Sequence, residues 1–416
     1  MTKQPEIMTD YSILPDGITE NNANIKIIGV GGGGCNAVTR LYNEGIQNVE
    51  FMVCNTDKNA LDLSPVPEKI VLGTNLTKGT GAGMDPEIGR NAALESYEDL
   101  KRSIGPNIQV VFITAGMGGG TGTGAAPVIA QIAHEAGMLT IAVLTYPEHD
   151  LVGFLQRAYE GIEEIRKYTD SIIIVDNQKM YDFYGDLDVQ SVLEKADSVL
   201  DTAVRGISEI ITKPGYMNVD LQDVKTVMRN SGMALVGTGL SSGDNRAVEA
   251  VEQAFTSPLL KDFDLSTAKK ILVNVTYSRT TSLKMSELTI INEYIRKYTG
   301  NGITMKKNGL GIDNRLEDGE ICVTVLATGF KINNTPPSKM LISTDNGDTV
   351  ELGDTGTEDE GKVISLSAGS TDSLDENLRE LDTKNIFYYE PGCNLSDLQN
   401  ETALARRERL RRQRQD

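Results

Sequence analysis

The sequence predicts an α/β fold: a Rossmann-like domain with a parallel sheet, a long central helix, and a second, smaller α/β domain. Three observations predict it. Short apolar runs alternate with helix-like stretches over residues 25–187, one long amphipathic stretch covers 188–212, and the alternation resumes over 213–330. Strands that alternate with helices are typical of a parallel sheet that helices cover. With 416 residues, the chain has room for two or three domains.

The predicted strands of the first domain are apolar, β-branched runs bounded by glycine or polar residues. These runs lie at residues 24–30, 49–54, 109–114, 139–144 and 171–175. Helix-like stretches lie at 37–43, 125–137 and 153–168. In the second domain, strand-like runs lie at 268–275 and 321–327, and helix-like stretches at 244–255 and 285–298. Between the domains, apolar residues recur at three- and four-residue steps from Val189 to Ile211, which predicts one amphipathic helix that ends before Pro214.

Both ends of the chain lie outside these domains. Residues 1–24 are polar and acidic, which predicts a flexible leader and argues against a signal peptide. Residues 331–400 have few apolar residues and an excess of acids, which predicts a disordered acidic linker. Residues 401–416 predict a short basic tail that either docks on a partner as a helix or stays solvated.

Composition argues against several classes of protein. Lys and Arg number 40 against 59 Asp and Glu, a net charge of −19, which disfavours a general nucleic-acid binder. No run approaches the roughly 18–20 apolar residues of a membrane span, so no direct membrane insertion is expected. The four cysteines are far apart and there are only two histidines, so no metal site made of protein side chains is predicted. We expect an acidic, soluble, cytoplasmic protein.

The first glycine loop, Gly29–Gly34, fits the pattern G-x-G-x-x-G directly after a predicted strand. Glycines let backbone N–H groups approach an anion, and the N-terminus of a following helix adds its positive dipole, so the loop predicts a phosphate site. The pattern suits a dinucleotide equally well. A tight turn without any ligand is the remaining interpretation, although four consecutive glycines cost much chain entropy for a turn alone.

A second glycine loop, residues 114–124, also follows a strand and precedes a helix-like run, and a third lies at Gly79–Gly83. Glycine N–H groups and threonine hydroxyls are donors that suit phosphate oxygens. Three such loops at strand ends suggest one polyphosphate held from several sides. The chain lacks the G-x-x-x-x-G-K-[ST] pattern of P-loop enzymes.

Gly118–Gly124, with the sequence GGGTGTG, resembles the signature of the tubulin/FtsZ family of GTPases. Gly31–Asn36 matches the same family, and the resemblance extends over about residues 25–330. Asn55–Asp57 is similar to the family's loop after the second strand, and Gly79–Asn91 to its phosphate-sensing loop. The segment from Asn218 to Asp223, with the sequence NVDLQD, resembles its catalytic loop.

The resemblance implies a GTPase that assembles head-to-tail into filaments of the cell-division ring at mid-cell. GTP or GDP would be the bound nucleotide, with Mg²⁺ held mainly by its phosphates and by water. The residues implied in nucleotide binding are Gly32, Gly33, Gly34, Cys35, Asn36, Gly118, Gly119, Gly120, Thr121, Gly122, Thr123, Gly124, Asp150, Asn177 and Asp197. Cys35 would be a small filler beside the phosphates, since no histidine near it in sequence could activate it as a nucleophile.

The catalytic residues that the resemblance implies, Asn218, Asp220 and Asp223, would act on the nucleotide of the neighbouring subunit. Two carboxylates three residues apart can share one face of a helical turn and orient a water molecule, the positioning role that dominates phosphoryl transfer. The simpler interpretation of Asp220 and Asp223 is acidic charge that complements a helix dipole.

The chain departs from the family pattern after the fourth predicted strand. Where the family carries Glu-Gly-Lys-Lys-Arg, residues 146–154 place Asp150 near the acid and Phe154 near the arginine, so that arginine is lost unless Arg157 reaches back. The tail is more basic and less apolar than the adaptor-binding peptide that ends many family members, so adaptor docking there is a hypothesis. Two alternative functions stay open: a relative that binds nucleotide and co-assembles but hardly hydrolyses it, and a dinucleotide oxidoreductase, which rests on the first glycine loop alone.

Overall fold

A computed structural model gives the structure of the chain. It describes residues 24–46, 48–148, 152–184, 189–212, 215–217, 219–257, 260, 265–300 and 302–330, and beyond them 340–343, 349–352 and 386–387. Side chains are described for the residues up to 330 except 152, 189–198, 200, 215 and 216. The described residues divide after Phe330 into two compact units. The predicted leader (1–24, except Asn24) and the basic tail (401–416) lie outside the described residues.

The first part of the chain alternates strands and helices. In order, these are β1 (Ile25–Val30), α1 (Gly31–Asn43), β2 (Glu50–Asn55), α2 (Lys58–Leu63), β3 (Glu68–Val71), α3 (Pro86–Glu95), α4 (Tyr97–Ile104), β4 (Val110–Gly116), α5 (Thr121–Glu135), β5 (Leu139–Tyr146), α6 (Val152–Arg166), β6 (Ser171–Asp176) and α7 (Asn177–Phe183). All five strands and the three helix-like stretches predicted for this part are present.

The predicted central helix is confirmed as α8 (Val189–Thr212), which ends two residues before Pro214. The elements after it are β7 (Gly215–Met217), α9 (Leu221–Met228), β8 (Gly232–Ser241), α10 (Arg246–Phe255), β9 (Lys270–Tyr277), α11 (Met285–Thr299), β10 (Met305–Ile312) and β11 (Ile321–Thr328). Beyond Phe330 lie β12 (Met340–Ser343), β13 (Thr349–Leu352) and β14 (Ile386–Phe387).

Among the described residues, one sheet holds eleven strands in the order β3-β2-β1-β4-β5-β6-β8-β11-β9-β10-β7. Strand β1 pairs in parallel with β2 on one side and with β4 on the other, so the strand order reverses between β1 and β4. Ligands of open parallel sheets bind outside the carboxyl ends of the strands at such a reversal. The topology therefore directs a ligand to the edge where the first and second glycine loops lie.

Helices cover both faces of this sheet, which is parallel from β3 to β8 and mixed beyond β8. On one face, the central helix α8 buries Ala203, Val204 and Ile207 in the same apolar cluster as Val38 of α1 and Leu326 of β11. On the other face, helix α5 packs against β4 and β5. A third cluster fills the second domain between its mixed sheet and helices α10 and α11. No helix that the structure describes combines the length and the apolar character needed to cross a bilayer.

Within residues 331–400, which the sequence predicts to be a disordered linker, the structure describes ten residues, and all ten lie in short strands. Strands β12 and β13 pair antiparallel, with Met340 opposite Leu352 and Ser343 opposite Thr349, and β14 pairs with β12. The sequence between the two paired strands contains Asn346-Gly347, a dipeptide typical of hairpin turns. Apolar residues lie on either side of this dipeptide, within a segment whose overall composition is acidic. Over the rest of 331–400, the disordered linker stays a prediction.

Candidate nucleotide site

The first glycine loop continues directly into a helix. Strand β1 ends at Val30 and α1 begins at Gly31, whose φ of 72° suits glycine. The helix was predicted only from residue 37, so its start was placed six residues too late. Glycine has a low intrinsic helix propensity, which hid this first turn. The glycines therefore form the N-terminal turn itself, where unpaired backbone N–H groups face an anion.

The second glycine loop lies against the first. It joins β4 to α5, and a Cβ atom placed on Gly31 would lie 2.8 Å from the backbone nitrogen of Gly122. The third glycine loop completes the edge: a Cβ atom on Gly120 would lie 2.8 Å from the nitrogen of Asp85 and 2.9 Å from Cβ of Ala82. The structure thus brings together the three loops that the sequence singled out.

The two carboxylates of the predicted catalytic loop form a reciprocal cap at the start of α9. The Asp223 N–H donates to Oδ1 of Asp220 at 2.7 Å, and the Asp220 N–H donates to Oδ2 of Asp223 at 3.1 Å. This capping box satisfies two N–H groups at the helix end, so the simpler interpretation of these acids is structurally realised. Asp220 remains exposed to solvent, which leaves its carboxylate accessible to a partner. Asn218 lies outside the described residues.

Helix α9 lies at the opposite edge of the sheet from the glycine loops. Lys225 Nζ donates to Oε1 of Gln109, the residue before β4, at 3.0 Å. Arg229 Nη2 donates to the carbonyl of Gly137, shortly before β5, at 3.2 Å. Both contacts are to the amino ends of strands whose carboxyl ends carry the candidate site. Six residue steps along β4 span about 20 Å, so the acids cannot reach the glycine loops of their own chain.

Two models of known protein families match this chain. Residues 24–185 match the model described as "Tubulin/FtsZ family, GTPase domain", and residues 232–331 match "FtsZ family, C-terminal domain". The chain is 48% identical over 313 residues to the cell division protein FtsZ of Buchnera aphidicola, covering 74% of this chain and 80% of that protein. The chain belongs to the tubulin/FtsZ family. Its residues 24–185 are thus a GTPase domain of this family, as the resemblance implied.

Further relatives support the family and the fold. The cell division protein FtsZ of Pseudomonas aeruginosa is 44% identical over 340 residues, covering 81% of this chain and 85% of that protein. Among solved structures, an empty FtsZ dimer from M. jannaschii is similar with a TM-score of 0.67 and 38% identity, covering 74% of this chain and 88% of that chain. The predicted α/β fold is confirmed.

The glycines of this tubulin/FtsZ site fall into two kinds. Gly34, Gly122 and Gly124 are packing glycines, because a Cβ atom on each would overlap a backbone carbonyl oxygen, those of Thr114, Gly116 and Pro86 respectively. Gly32 and Gly119 instead border open space, with no atom within 4 Å of the Cβ position. Bare backbone beside open space is what a close approach of phosphate requires. The structure therefore offers Gly32 and Gly119 as the closest candidates for phosphate contact.

Three predicted binding residues have side chains that form contacts within the protein. Cys35 Sγ lies 3.4 Å from the carbonyl oxygen of Cys54 within the apolar core, and burial raises the pKa of its thiol to about 12. Cys35 is therefore a core residue and not a nucleophile. Thr123 Oγ1 accepts a hydrogen bond from the Gly118 N–H at 2.8 Å, which fixes the second glycine loop from within. Thr121 Oγ1 pairs with Thr56 Oγ1 at 2.6 Å and links this loop to the one after β2.

The residues predicted on the far side of the nucleotide are only partly described. Asn177 is half-buried and begins α7 directly after β6, at the same edge as the glycine loops. Asp150 and the side chain of Asp197 lie outside the described residues. Sequence reasoning missed Glu148, which accepts a hydrogen bond from the Tyr181 hydroxyl at 2.8 Å. It is the first carboxylate after β5, a signal that the sequence did offer.

Arg157 contacts the segment that follows the third glycine loop. Its Nη1 donates to the carbonyl oxygen of Met84 at 3.0 Å, just after the third glycine loop. Met84 has a φ of 63°, so this carbonyl belongs to a left-handed turn. Phe154, at the place of the family's arginine, packs on the second glycine loop. A Cβ atom placed on Gly118 would lie 3.3 Å from Cβ of Phe154.

Proposed function

We propose that this chain binds GTP at the edge formed by the three glycine loops and assembles head-to-tail into the filaments of the cell-division ring. Adjacent subunits share each active site in this proposal, so that hydrolysis to GDP and phosphate depends on assembly. One observation carries the proposal: the glycine loops lie at the carboxyl ends of the strands, and helix α9 with its two acids lies at their amino ends. Head-to-tail stacking brings the amino edge of one subunit onto the carboxyl edge of the next.

In the nucleotide half, the phosphates lie against the backbone of Gly32, Gly33 and Asn36, which are exposed, and of Gly119, which is half-buried. The N-terminus of α1 and the glycine N–H groups supply neutral donors that hold negative charge. In the described part of the chain, no group of three His, Cys, Asp or Glu side chains comes together that could hold a metal ion. Mg²⁺ that accompanies GTP would then take its oxygen ligands from the phosphates and water, as is common for this ion, and would neutralise phosphate charge.

In the catalytic half, the neighbouring subunit supplies Asn218, Asp220 and Asp223. The exposed Asp220 carboxylate accepts a hydrogen bond from the attacking water and orients it toward the terminal phosphate, while the capping box keeps the two acids side by side. No observation favours a relative that hardly hydrolyses nucleotide, and the curated relatives named above are cell division proteins FtsZ. An oxidoreductase leaves the second and third glycine loops without a role.

Place and tethering follow from the same proposal. The filaments act in the cytoplasm at the mid-cell division site, and membrane-adaptor or regulatory proteins bind the basic tail at residues 401–416. Deleting these residues should abolish adaptor binding and leave GTP-dependent assembly intact. Adaptor or lipid binding that survives the deletion would remove the tail from the proposal.

Nucleotide selectivity and sedimentation together test the proposed function. Purified protein should bind GTP and GDP but not NAD, and GTP should drive it into filaments that pellet on ultracentrifugation. Pelleting should stop when GTP is exhausted and resume when it is added again, since hydrolysis disassembles the filaments. Binding of NAD in preference to GTP, or GTP binding without any sedimentable assembly, would contradict the proposal.

Arg157→Ala is expected to weaken GTP binding more than GDP binding. The guanidinium holds the turn at Met84, which follows the loop expected to contact the terminal phosphate. An exposed contact of this kind is worth about 1 kcal/mol, or roughly fivefold in affinity. Titration of both nucleotides by fluorescence measures the difference. Arg166→Ala is the matched control on α6, because Arg166 pairs with Glu163 at 2.8 Å on the exposed surface and, among the described residues, forms no bond to the glycine loops. Equal weakening of GTP and GDP, or no weakening, would show that Arg157 does not support the terminal-phosphate side.

A further inference from the structure

The predicted catalytic acid Asp223 has an ion-pair partner that no motif points to. Lys307, on strand β10, places its Nζ 2.8 Å from Oδ2 of Asp223 across 84 positions of sequence. The side chains are 37% and 20% exposed, so the pair lies at the surface where a neighbouring subunit would dock. A lysine here therefore meets the same partner surface as the acid that it holds.

The hydrogen bonds fix which oxygen of Asp223 is used within the chain. Oδ2 accepts from Lys307 Nζ at 2.8 Å and from the Asp220 N–H at 3.1 Å. Within the described ranges, no donor is paired with Oδ1 of Asp223, so both of the bonds described fall on one oxygen of this carboxylate. Two donors on Oδ2 also restrict rotation of the carboxylate.

Charge gives the pair a second consequence. Asp220 and Asp223 together carry two negative charges, and the proposed function brings them toward the polyphosphate of the next subunit. Like charges that come into contact repel strongly where water is displaced. Lys307 reduces the net charge of the cluster from −2 to −1, and its own pKa is raised by hydrogen bonding to Asp223, so it stays protonated.

We propose that Lys307 is a positioning residue for GTP hydrolysis: it orients the Asp223 carboxylate and offsets its charge as the acid pair meets the nucleotide of the neighbouring subunit. This inference rests on the proposed function. Lys307 acts through Asp223 and is not itself assigned a contact with the nucleotide.

A purely structural role for the ion pair is the competing explanation. Exposed ion pairs contribute little to the stability of a folded protein. Helix α9 has other attachments: it buries Val224, Val227 and Met228, and Lys270 Nζ donates to the carbonyl of Thr226 at 2.7 Å. Lys270 therefore ties the same helix to the neighbouring strand β9 without touching a carboxylate of the capping box, which makes it a matched control.

The pH dependence of turnover distinguishes the two roles. An ion pair that only stabilised the fold would leave this pH dependence unchanged. Partial burial raises the pKa of Asp223, but hydrogen bonds from Lys307 and from the Asp220 N–H outweigh this effect and hold it below its ordinary value. The charged groups that face Asp223 are Lys307 on β10 and Asp220 at its own helix cap. A carboxylate with a lowered pKa stays ionised until the pH falls through that value. Removing Lys307 raises the pKa of Asp223. As the pH falls, the variant should therefore lose activity at a higher pH than the wild-type chain does.

The test compares Lys307→Met, Lys307→Arg and Lys270→Met in the full-length chain. Phosphate release per subunit is measured well above the assembly threshold of each variant and across pH, together with GTP affinity and thermal stability. Lys307→Met should lower turnover about tenfold and shift its acid limb to higher pH, with GTP affinity unchanged. Lys307→Arg should restore most of the turnover, and Lys270→Met should keep it.

Three results would overturn the role of Lys307. These are wild-type turnover and pH profile in Lys307→Met, an equal loss of turnover in Lys270→Met, and failure of Lys307→Arg to restore turnover. A failure of the proposed function would look different. In that case the wild-type chain itself would release no phosphate above its assembly threshold, or would release it at a rate per subunit that is independent of concentration.

Discussion

Replacing Gly124 by alanine is expected to destabilise the first domain by about 3 kcal/mol or more. The added methyl group would overlap the carbonyl oxygen of Pro86 and lie 2.6 Å from the backbone nitrogen of Arg90. Both contacts are with the backbone of α3, which cannot move aside as a side chain can. Helices α3 and α5 would have to separate, and this would disturb the second and third glycine loops together. Urea unfolding monitored by circular dichroism measures the change.

Gly119→Ala is the matched control within the same loop. Its methyl group would meet no atom within 4 Å, and its backbone does not adopt a positive φ. We therefore expect wild-type stability and weakened GTP binding, because the methyl group would occupy the space assigned to phosphate. Equal stability of the two variants would refute the division into packing glycines and ligand-facing glycines. Undiminished GTP binding by Gly119→Ala would refute the placement of the phosphates.

Asp220→Ala is expected to reduce GTP hydrolysis by at least about 100-fold while GTP binding stays unchanged. The carboxylate is proposed to orient the attacking water in the neighbouring subunit, because its helix contacts the amino ends of the strands that carry the glycine loops of its own chain. The substitution also removes the Oδ1 acceptor that caps α9, which should cost about 1 kcal/mol of stability. Phosphate release and nucleotide titration on the same preparation separate turnover from binding.

Asp220→Asn separates catalysis from capping. Asparagine is as good an N-cap residue as aspartate, so the free energy of unfolding should stay close to that of the wild type. The amide lacks the negative charge, so we expect hydrolysis to fall nearly as far as in the alanine variant. Wild-type turnover in Asp220→Asn would mean that this acid only caps the helix, the simpler of the two interpretations that the sequence allowed.

Periodicity and glycine patterns predicted the first domain well because its strands are buried on both faces and read as continuous apolar runs. Strand β8 was not predicted. It contains Gly237 and Gly239, and a Cβ atom on either would overlap the backbone of α10, at Ala254 and Ala250 respectively. The glycines that allow this helix to pack so closely also remove the strand signal. Such a cause lies in tertiary packing and is not readable from local sequence.

The candidate site was predictable to a similar degree. The three glycine loops and the acid pair are local patterns, and the first and second loops do follow strands that the sequence predicted. The contacts between elements were not predictable: Lys307 pairs with Asp223 from a strand that was itself missed, since Lys306–Gly309 carries no apolar pattern. Arg157 was named as a candidate, but its contact with Met84 depends on where the third glycine loop folds. Ion pairs that join distant segments need the fold before they can be recognised.

Phosphate release from GTP, measured per subunit across a range of protein concentrations, tests the shared active site most directly. We expect almost no release below a threshold concentration and a constant rate for each additional subunit above it, because each nucleotide needs the acids of a neighbour. Asp220→Asn should remove the release above the threshold. A rate per subunit that is the same at all concentrations would show that one chain suffices for hydrolysis and would contradict the shared site.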